Sequence, residues 1–303
     1  MNGFVLLDKP AGMTSFFAVA KCRRLCGEKK AGHTGTLDPM ATGVLVVALG
    51  TATRFIDLLP HDEKSYRASF RLGETTDTLD VTGTVLAQND VHCGRSDVAA
   101  ALARFRGEIS QVPPMYSALR KDGVRLYALA RQGVEVAREA RDVTIRTLEL
   151  VDADETTNTY TIDVTCSAGT YIRSLIADLG NALGTGAVMT ALRRTAANGQ
   201  LLAQCHTLEE LEALAEAGTL DSVLLQAEDV LSYDRLTVTD AQAKRFHNGG
   251  ELSLDRLRGA LQNGYYCVFS PNGAFLGLGE ADNETGVLRV KKTLPHDAEG
   301  SKP

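Results

Sequence analysis

At 303 residues the chain is long enough for one large domain and a smaller one, since single hydrophobic cores stop growing near about 250 to 300 residues. Hydrophobic residues at 44% and charged residues at 23% are ordinary for a globular protein and exclude wholesale disorder, while a formal net charge of −6 argues by itself against a polyanionic partner. No stretch approaches the roughly 18 apolar residues of a membrane span, and the apolar run Gly3 to Leu7 is too short for a signal peptide.

The charge is unevenly spread. Between His206 and Val230 there are seven acidic residues and no Lys or Arg, whereas residues 21 to 30 carry Lys21, Arg23, Arg24, Lys29 and Lys30 against Glu28 alone. A basic face on an acidic protein is one reading of this, and solvated helix faces are the other. Six scattered cysteines (Cys22, Cys26, Cys93, Cys166, Cys205, Cys267) read as reduced thiols, so a cytoplasmic location is expected.

In chain order, Gly3 to Leu7 reads as a strand ending in the turn chemistry of Asp8-Lys9-Pro10-Ala11-Gly12. Ser15 can cap a helix to about Leu25 with Phe16, Val19, Ala20 and Leu25 on its apolar face, and Gly27 ends it. Residues 31 to 43, with three glycines, three threonines and a proline, form a long loop leading into Val44 to Leu49, a β-branched run expected to be buried on both faces. Further strands are read at 66 to 72, 81 to 87, 141 to 151 and 160 to 166, with helices at 96 to 105 and 170 to 183. Strands and helices without strict βαβ alternation predict an α+β fold. Beyond a boundary near 225 to 234, short strands at 236 to 239, 265 to 269, 274 to 279 and 287 to 290 predict a small β-barrel-like domain.

Asp38 is the first candidate for chemistry, because it stands in a Gly/Thr-rich loop directly before Pro39, which restrains its backbone. It either caps the following turn or acts as a catalytic carboxylate. Gly32-His33-Thr34-Gly35-Thr36 lacks the ending of a nucleotide-binding P-loop, and Cys22, Cys26 and His33 have no second close pair to complete a zinc site, so neither nucleotide nor metal is expected. Tyr66 and Tyr171 either pack on the core or stack on a base; Arg173 is either a surface residue or the partner of a buried carboxylate.

Taken together, these segments resemble the bacterial tRNA pseudouridine synthase B (TruB) family from residue 3 to about 290. The resemblance rests on Gly3 with Asp8-Lys9-Pro10-x-Gly12-x-Thr14-Ser15, on Gly32 to Leu45 around Asp38, and on Lys64-Ser65-Tyr66. It continues through Pro113-Pro114-x-Tyr116-Ser117-Ala118 to Gly133, Cys166-Ser167-x-Gly169-Thr170-Tyr171-Ile172-Arg173, and Leu192-Arg193-Arg194-Thr195. It implies a pseudouridine synthase fold with a mixed, largely antiparallel sheet over residues 1 to 230, a PUA-type RNA-binding domain over 231 to 293, and a flexible tail at 294 to 303. It also implies that Asp38 is the nucleophile acting on a flipped-out uridine of the tRNA T loop, at the position conventionally numbered 55. Arg173 would pair with Asp38, Tyr66 would stack on the base, Tyr171 would line the pocket, and His33 and Lys64 would meet the RNA. Isomerisation moves no group from outside and changes no oxidation state, so no cofactor is implied; nor is a protein partner, and a monomer is expected. Thr51, Ala168 and Ala197 stand where relatives often carry a basic residue, which predicts weaker tRNA binding.

Overall fold

The structure, a computed structural model, describes residues 1–60 and 63–295. The tail expected at 294 to 303 therefore lies, from residue 296 onward, outside the described residues. The chain forms β1 (Gly3–Lys9), α1 (Ser15–Leu25), β2 (Ala31–His33), β3 (Thr42–Leu49), β4 (Lys64–Leu72), β5 (Glu74–Thr76), β6 (Val85–Gln88), α2 (Arg95–Leu102) and β7 (Gly107–Gln111). It continues with β8 (Arg120–Lys121), β9 (Val124–Arg125), α3 (Leu126–Ala130), β10 (Arg141–Asp154), β11 (Thr159–Cys166), α4 (Ile172–Ala182), β12 (Ala187–Ala197) and β13 (Gln200–Leu201). After α5 (Leu208–Glu216) and α6 (Ala227–Leu231) come β14 (Asp234–Thr237), α7 (Asp240–His247), β15 (Leu252–Ser253), β16 (Gly264–Phe269), β17 (Phe275–Asp282) and β18 (Val287–Thr293).

The principal sheet has the order β1-β3-β12-β4-β11-β10-β7, with β2 added to β3 and β13 to β12. Every neighbouring pair on this path is antiparallel except β3 and β12, so the fold is α+β with the mixed, largely antiparallel sheet that the resemblance implies. The run Val44 to Leu49 is fully buried, as a strand covered on both faces must be. On one face α4 packs Ile172, Leu175, Ile176 and Leu179 against Phe70, Tyr160 and Met189, the rings of Phe70 and Tyr160 stacking at 5.7 Å between centroids.

Two departures from the expected strands bear on the site, besides β7 and β2, which were also not among them. Residues 81 to 87 are a strand only from Val85 onward, because Asp80 gathers the preceding Thr-rich segment into a turn: its carboxylate accepts from Thr78 Oγ1 and from the backbone N–H and hydroxyl of Thr82. The central strand β12 is not among the expected ones; it carries two adjacent arginines, which mask its period-two pattern. In α1 the apolar face also differs. Ser15, Ala18, Val19 and Cys22 are buried, while Phe16 and Phe17 point outward at 81% and 53% exposure. Thr14 rather than Ser15 caps the helix, accepting from Phe17 N–H at 3.2 Å.

The second sheet has the order β14-β16-β17-β18-β15 and its own core of Leu236, Phe246, Val268 and Leu288. Its other face joins the first sheet: Cys267, Phe269, Phe275 and Leu278 share a cluster with Phe4, Val44, Val46 and Phe55. The acidic α5 lies beside α1, where Lys21 Nζ reaches Glu212 at 3.3 Å.

Candidate active site

The loop between β2 and β3 is fixed from beneath. Ser15 Oγ accepts from Leu37 N–H at 2.8 Å and donates to Leu37 C=O at 3.0 Å, so one hydroxyl satisfies both backbone groups of the residue before Asp38. Leu37 and Ala41 are buried, and Ala41 N–H closes a turn on Asp38 C=O. Lys9, fully buried at the end of β1, donates to the carbonyls of Pro10 and Met13 at 2.8 Å each and to Pro39 at 3.4 Å. Burial lowers its pKa to about 8, against the pull of Asp38's charge. At Gly43 the chain turns at φ +103, and a Cβ there would lie 2.2 Å from Arg194 C=O, so only glycine permits β3 to pass β12.

Asp38 stands at the mouth of this loop with its side chain one-third exposed, paired to Arg173 from the first turn of α4. The pair is bidentate: Arg173 Nε lies 2.9 Å from Oδ2 and Nη2 3.1 Å from Oδ1. The guanidinium is buried and donates also to Thr78 C=O at 2.9 Å and Tyr116 C=O at 2.8 Å, with Asp80 3.8 Å away. Between Thr78 and Asp80, Leu79 holds φ +63, a left-handed conformation unusual for a branched side chain, and the segment is tied to β12 through Met189. Partial burial pushes the Asp38 carboxyl above its ordinary value; Arg173 opposes this shift and Asp80 adds to it.

The remaining candidates lie around this pair. Tyr66 is buried in β4 opposite Arg194 of β12. Tyr171 precedes α4, its backbone N–H and C=O both held by the Gln111 amide, at 2.8 and 3.0 Å. Burial raises the pKa of both phenols, which keeps them protonated at neutral pH. His33 ends β2, where burial and then the charge of Arg194 lower its pKa, so the imidazole is neutral. Lys64 begins β4, its amine close enough to Gly35 that a Cβ on that glycine would sit 3.4 Å from Nζ. The hydroxyl of Thr34, like Nδ1 of His33 and the hydroxyl of Ser117, is out of solvent with no hydrogen-bond partner.

Three residues without an expected role complete the site. Arg194, almost fully buried, donates to Val44 C=O at 2.7 Å and Gly35 C=O at 3.1 Å, joining β12 to the loop; the signal for it was the arginine pair itself. Lys9 and Asp80 are the others, and their signals were a lysine before proline and an aspartate amid threonines. Among the described residues no group of three or more His, Cys, Asp or Glu could hold a metal ion, and no helix is long and apolar enough to cross a membrane.

The site is thus a carboxylate held by a buried arginine at the end of a loop on a mixed sheet, and the fold that carries it has known relatives. The fold superposes with a TM-score of 0.73 and 25% identity on a chain of an H/ACA RNP bound to a substrate RNA containing 2′-deoxyuridine, over 97% of this chain and 86% of that one. A chain of a Cbf5-Nop10-Gar1 complex superposes equally, at 0.73 with 26% identity, over 97% and 85%. The chain has the pseudouridine synthase fold. Residues 23–172 match the model of the TruB family pseudouridylate synthase N-terminal domain, and residues 173–232 that of the tRNA pseudouridylate synthase B C-terminal domain. A tRNA pseudouridine synthase B from Chromobacterium violaceum is 45% identical over 301 residues, covering 99% of this chain and 96% of its own. One from Pseudomonas putida is 46% identical over 298 residues, covering 97% and 96%, and one from Clostridium perfringens is 44% identical over 288 residues, covering 94% and 96%. The chain belongs to the TruB family of pseudouridylate synthases.

Proposed function

We propose that this enzyme isomerises one uridine of tRNA to pseudouridine, at the T-loop position conventionally numbered 55, with Asp38 as the reacting carboxylate. The observation that carries this reading is the bidentate Arg173 to Asp38 pair: a carboxylate whose anion a buried guanidinium favours while one-third of it faces solvent. The base must leave its stack to reach Asp38, and the unstacking cost is offset by contact with a pocket whose floor is Tyr66 and whose wall is Tyr171. The N1–C1′ bond breaks while the carboxylate either forms a transient adduct or stabilises the sugar; the uracil turns, C5 joins C1′, and the proton on C5 is lost as N1 takes one up. Retention of the detached uracil until it rejoins calls for an enclosed site.

The reading extends to the organisation of the chain. Residues 1 to 230 form the catalytic domain and 231 to 293 a PUA-like domain that contacts tRNA outside the reacting loop, and the shared cluster between the sheets keeps the two in register. The enzyme acts without cofactor or protein partner, as a cytoplasmic monomer.

The test is incubation of purified protein with unmodified tRNA transcript, followed by pseudouridine mapping through carbodiimide-blocked primer extension. A stop at the T-loop uridine is expected with the parent enzyme and not with Asp38→Asn. No stop at any position would overturn the enzymatic reading, and a stop elsewhere would move the substrate.

A further inference from the structure

The outward face of α1 has an arrangement that neither folding nor the reaction chemistry requires. Phe16 is 81% exposed and Phe17 53%, two adjacent rings in water at the start of the helix. One helical stripe runs from Phe17 through Lys21 to Arg24, and the neighbouring one from Phe16 through Ala20 to Arg23, so the aromatic end of the face passes into a basic one about 10 Å along the axis. Arg23 and Arg24 are both exposed. Single exposed apolar residues need no explanation, but two large rings side by side forgo the burial that stabilises a protein and invite a partner.

The location identifies the partner. Ser15, adjacent to Phe16, is the residue whose hydroxyl grips Leu37 immediately before Asp38, and Gly12 N–H bonds Pro39 C=O at 2.9 Å immediately after it. The start of α1 and the loop bearing Asp38 are thus one continuous rim, and an RNA that delivers a uridine to Asp38 crosses it. Resting on the tRNA reading above, we infer that Phe16 and Phe17 are a stacking platform for unpaired tRNA-loop bases beside the target, with Arg23 and Arg24 on the adjoining phosphates. Aromatic rings receive bases of any identity, and arginines on the same face neutralise the backbone that follows. The platform also supplies local affinity to a chain whose total charge is −6.

The experiment uses the full-length enzyme and unmodified tRNA transcript, with Kd from fluorescence anisotropy and KM and kcat from pseudouridine formation. Phe16→Ser with Phe17→Ser is expected to raise Kd and KM by about 10- to 100-fold, with the effect on kcat far smaller, and Phe16→Tyr with Phe17→Tyr to restore binding. Arg23→Gln with Arg24→Gln is expected to lower the slope of log Kd against log salt by roughly 1 to 2, whereas the serine pair leaves that slope in place. Kd within twofold of the parent for the serine pair, or loss of binding that tyrosine does not restore, would overturn the platform. So would a change of oligomeric state in the serine pair with tRNA affinity unaltered, which would make the patch an interface between copies of the chain. Should the parent bind tRNA but form no pseudouridine, the functional reading fails while the Kd comparison still decides the platform.

Discussion

The loop 31 to 43 and the segment 112 to 140 both carry motif residues and both are punctuated by glycine and proline, yet they are held in opposite ways. In the first, Ser15 takes both backbone groups of Leu37, Lys9 takes the carbonyl of Pro39, and Arg194 takes that of Gly35. In the second, the start is fixed, with Pro113, Pro114 and Ser117 buried and Tyr116 C=O bound by Arg173, but residues 120 to 125 and 131 to 135 are exposed throughout. The difference teaches that motif content does not determine rigidity. Side chains arriving from other elements to satisfy backbone groups do, and they converge on the segment that carries Asp38.

The comparison is sharpest at two glycines. Gly43→Ala combines φ +103 with a Cβ 2.2 Å from Arg194 C=O, and is expected to cost more than about 3 kcal/mol in urea unfolding, or to prevent folding. Gly133→Ala has φ +73 but open space around it, so the expected loss is only about 1 kcal/mol. Equal losses at the two positions would mean that the loop is no better fixed than the segment.

Arg173→Met removes the group that joins the two regions. With Asp38 a third exposed, the expected loss is about 2 to 4 kcal/mol rather than that of a fully buried pair. The pH dependence has a definite sign. The reactive form of Asp38 is the anion, and its carboxyl already lies above the ordinary 3.8 despite Arg173, so activity falls as pH drops through that raised value. Without the guanidinium the carboxyl rises further, and the acid limb of the single-turnover rate should move to higher pH. A limb that stays in place or moves down would separate Arg173 from the ionisation of Asp38. Ser15→Ala is the smaller intervention: it leaves Leu37 N–H and C=O without their partner, for an expected loss of about 1 to 3 kcal/mol and faster amide exchange at Leu37 than in the parent.

Much of this arrangement was legible in the sequence. The strands at 44 to 49, 66 to 72 and 160 to 166 declared themselves by β-branched content or alternation, and α4 by its 3.6-residue period. Asp38 stood out because a carboxylate between Gly/Thr-rich residues and a proline is neither helix nor strand. What stayed hidden depended on long-range partners. β12 is a central strand whose arginine pair disguises its alternation, and one of those arginines is buried only because Val44 and Gly35 present carbonyls 150 and 159 residues away. Asp80 drew no role, standing just before the strand read at 81 to 87; its carboxylate organises Thr78 and Thr82. Phe16, assigned to the apolar face by periodicity, lies outward because Thr14 rather than Ser15 caps α1 and Ser15 turns inward to Leu37.

The most direct test of the central claim measures binding and chemistry together in Asp38→Asn, with enzyme in excess over unmodified tRNA. The amide keeps the shape of the carboxylate and removes its charge, so tRNA affinity should stay within several-fold of the parent while the single-turnover rate of pseudouridine formation falls by roughly 10⁴-fold or more. Pseudouridine formation at the parental rate by Asp38→Asn would contradict the account, because the Arg173 to Asp38 pair would then be structural and the reacting group would have to be sought elsewhere in the protein.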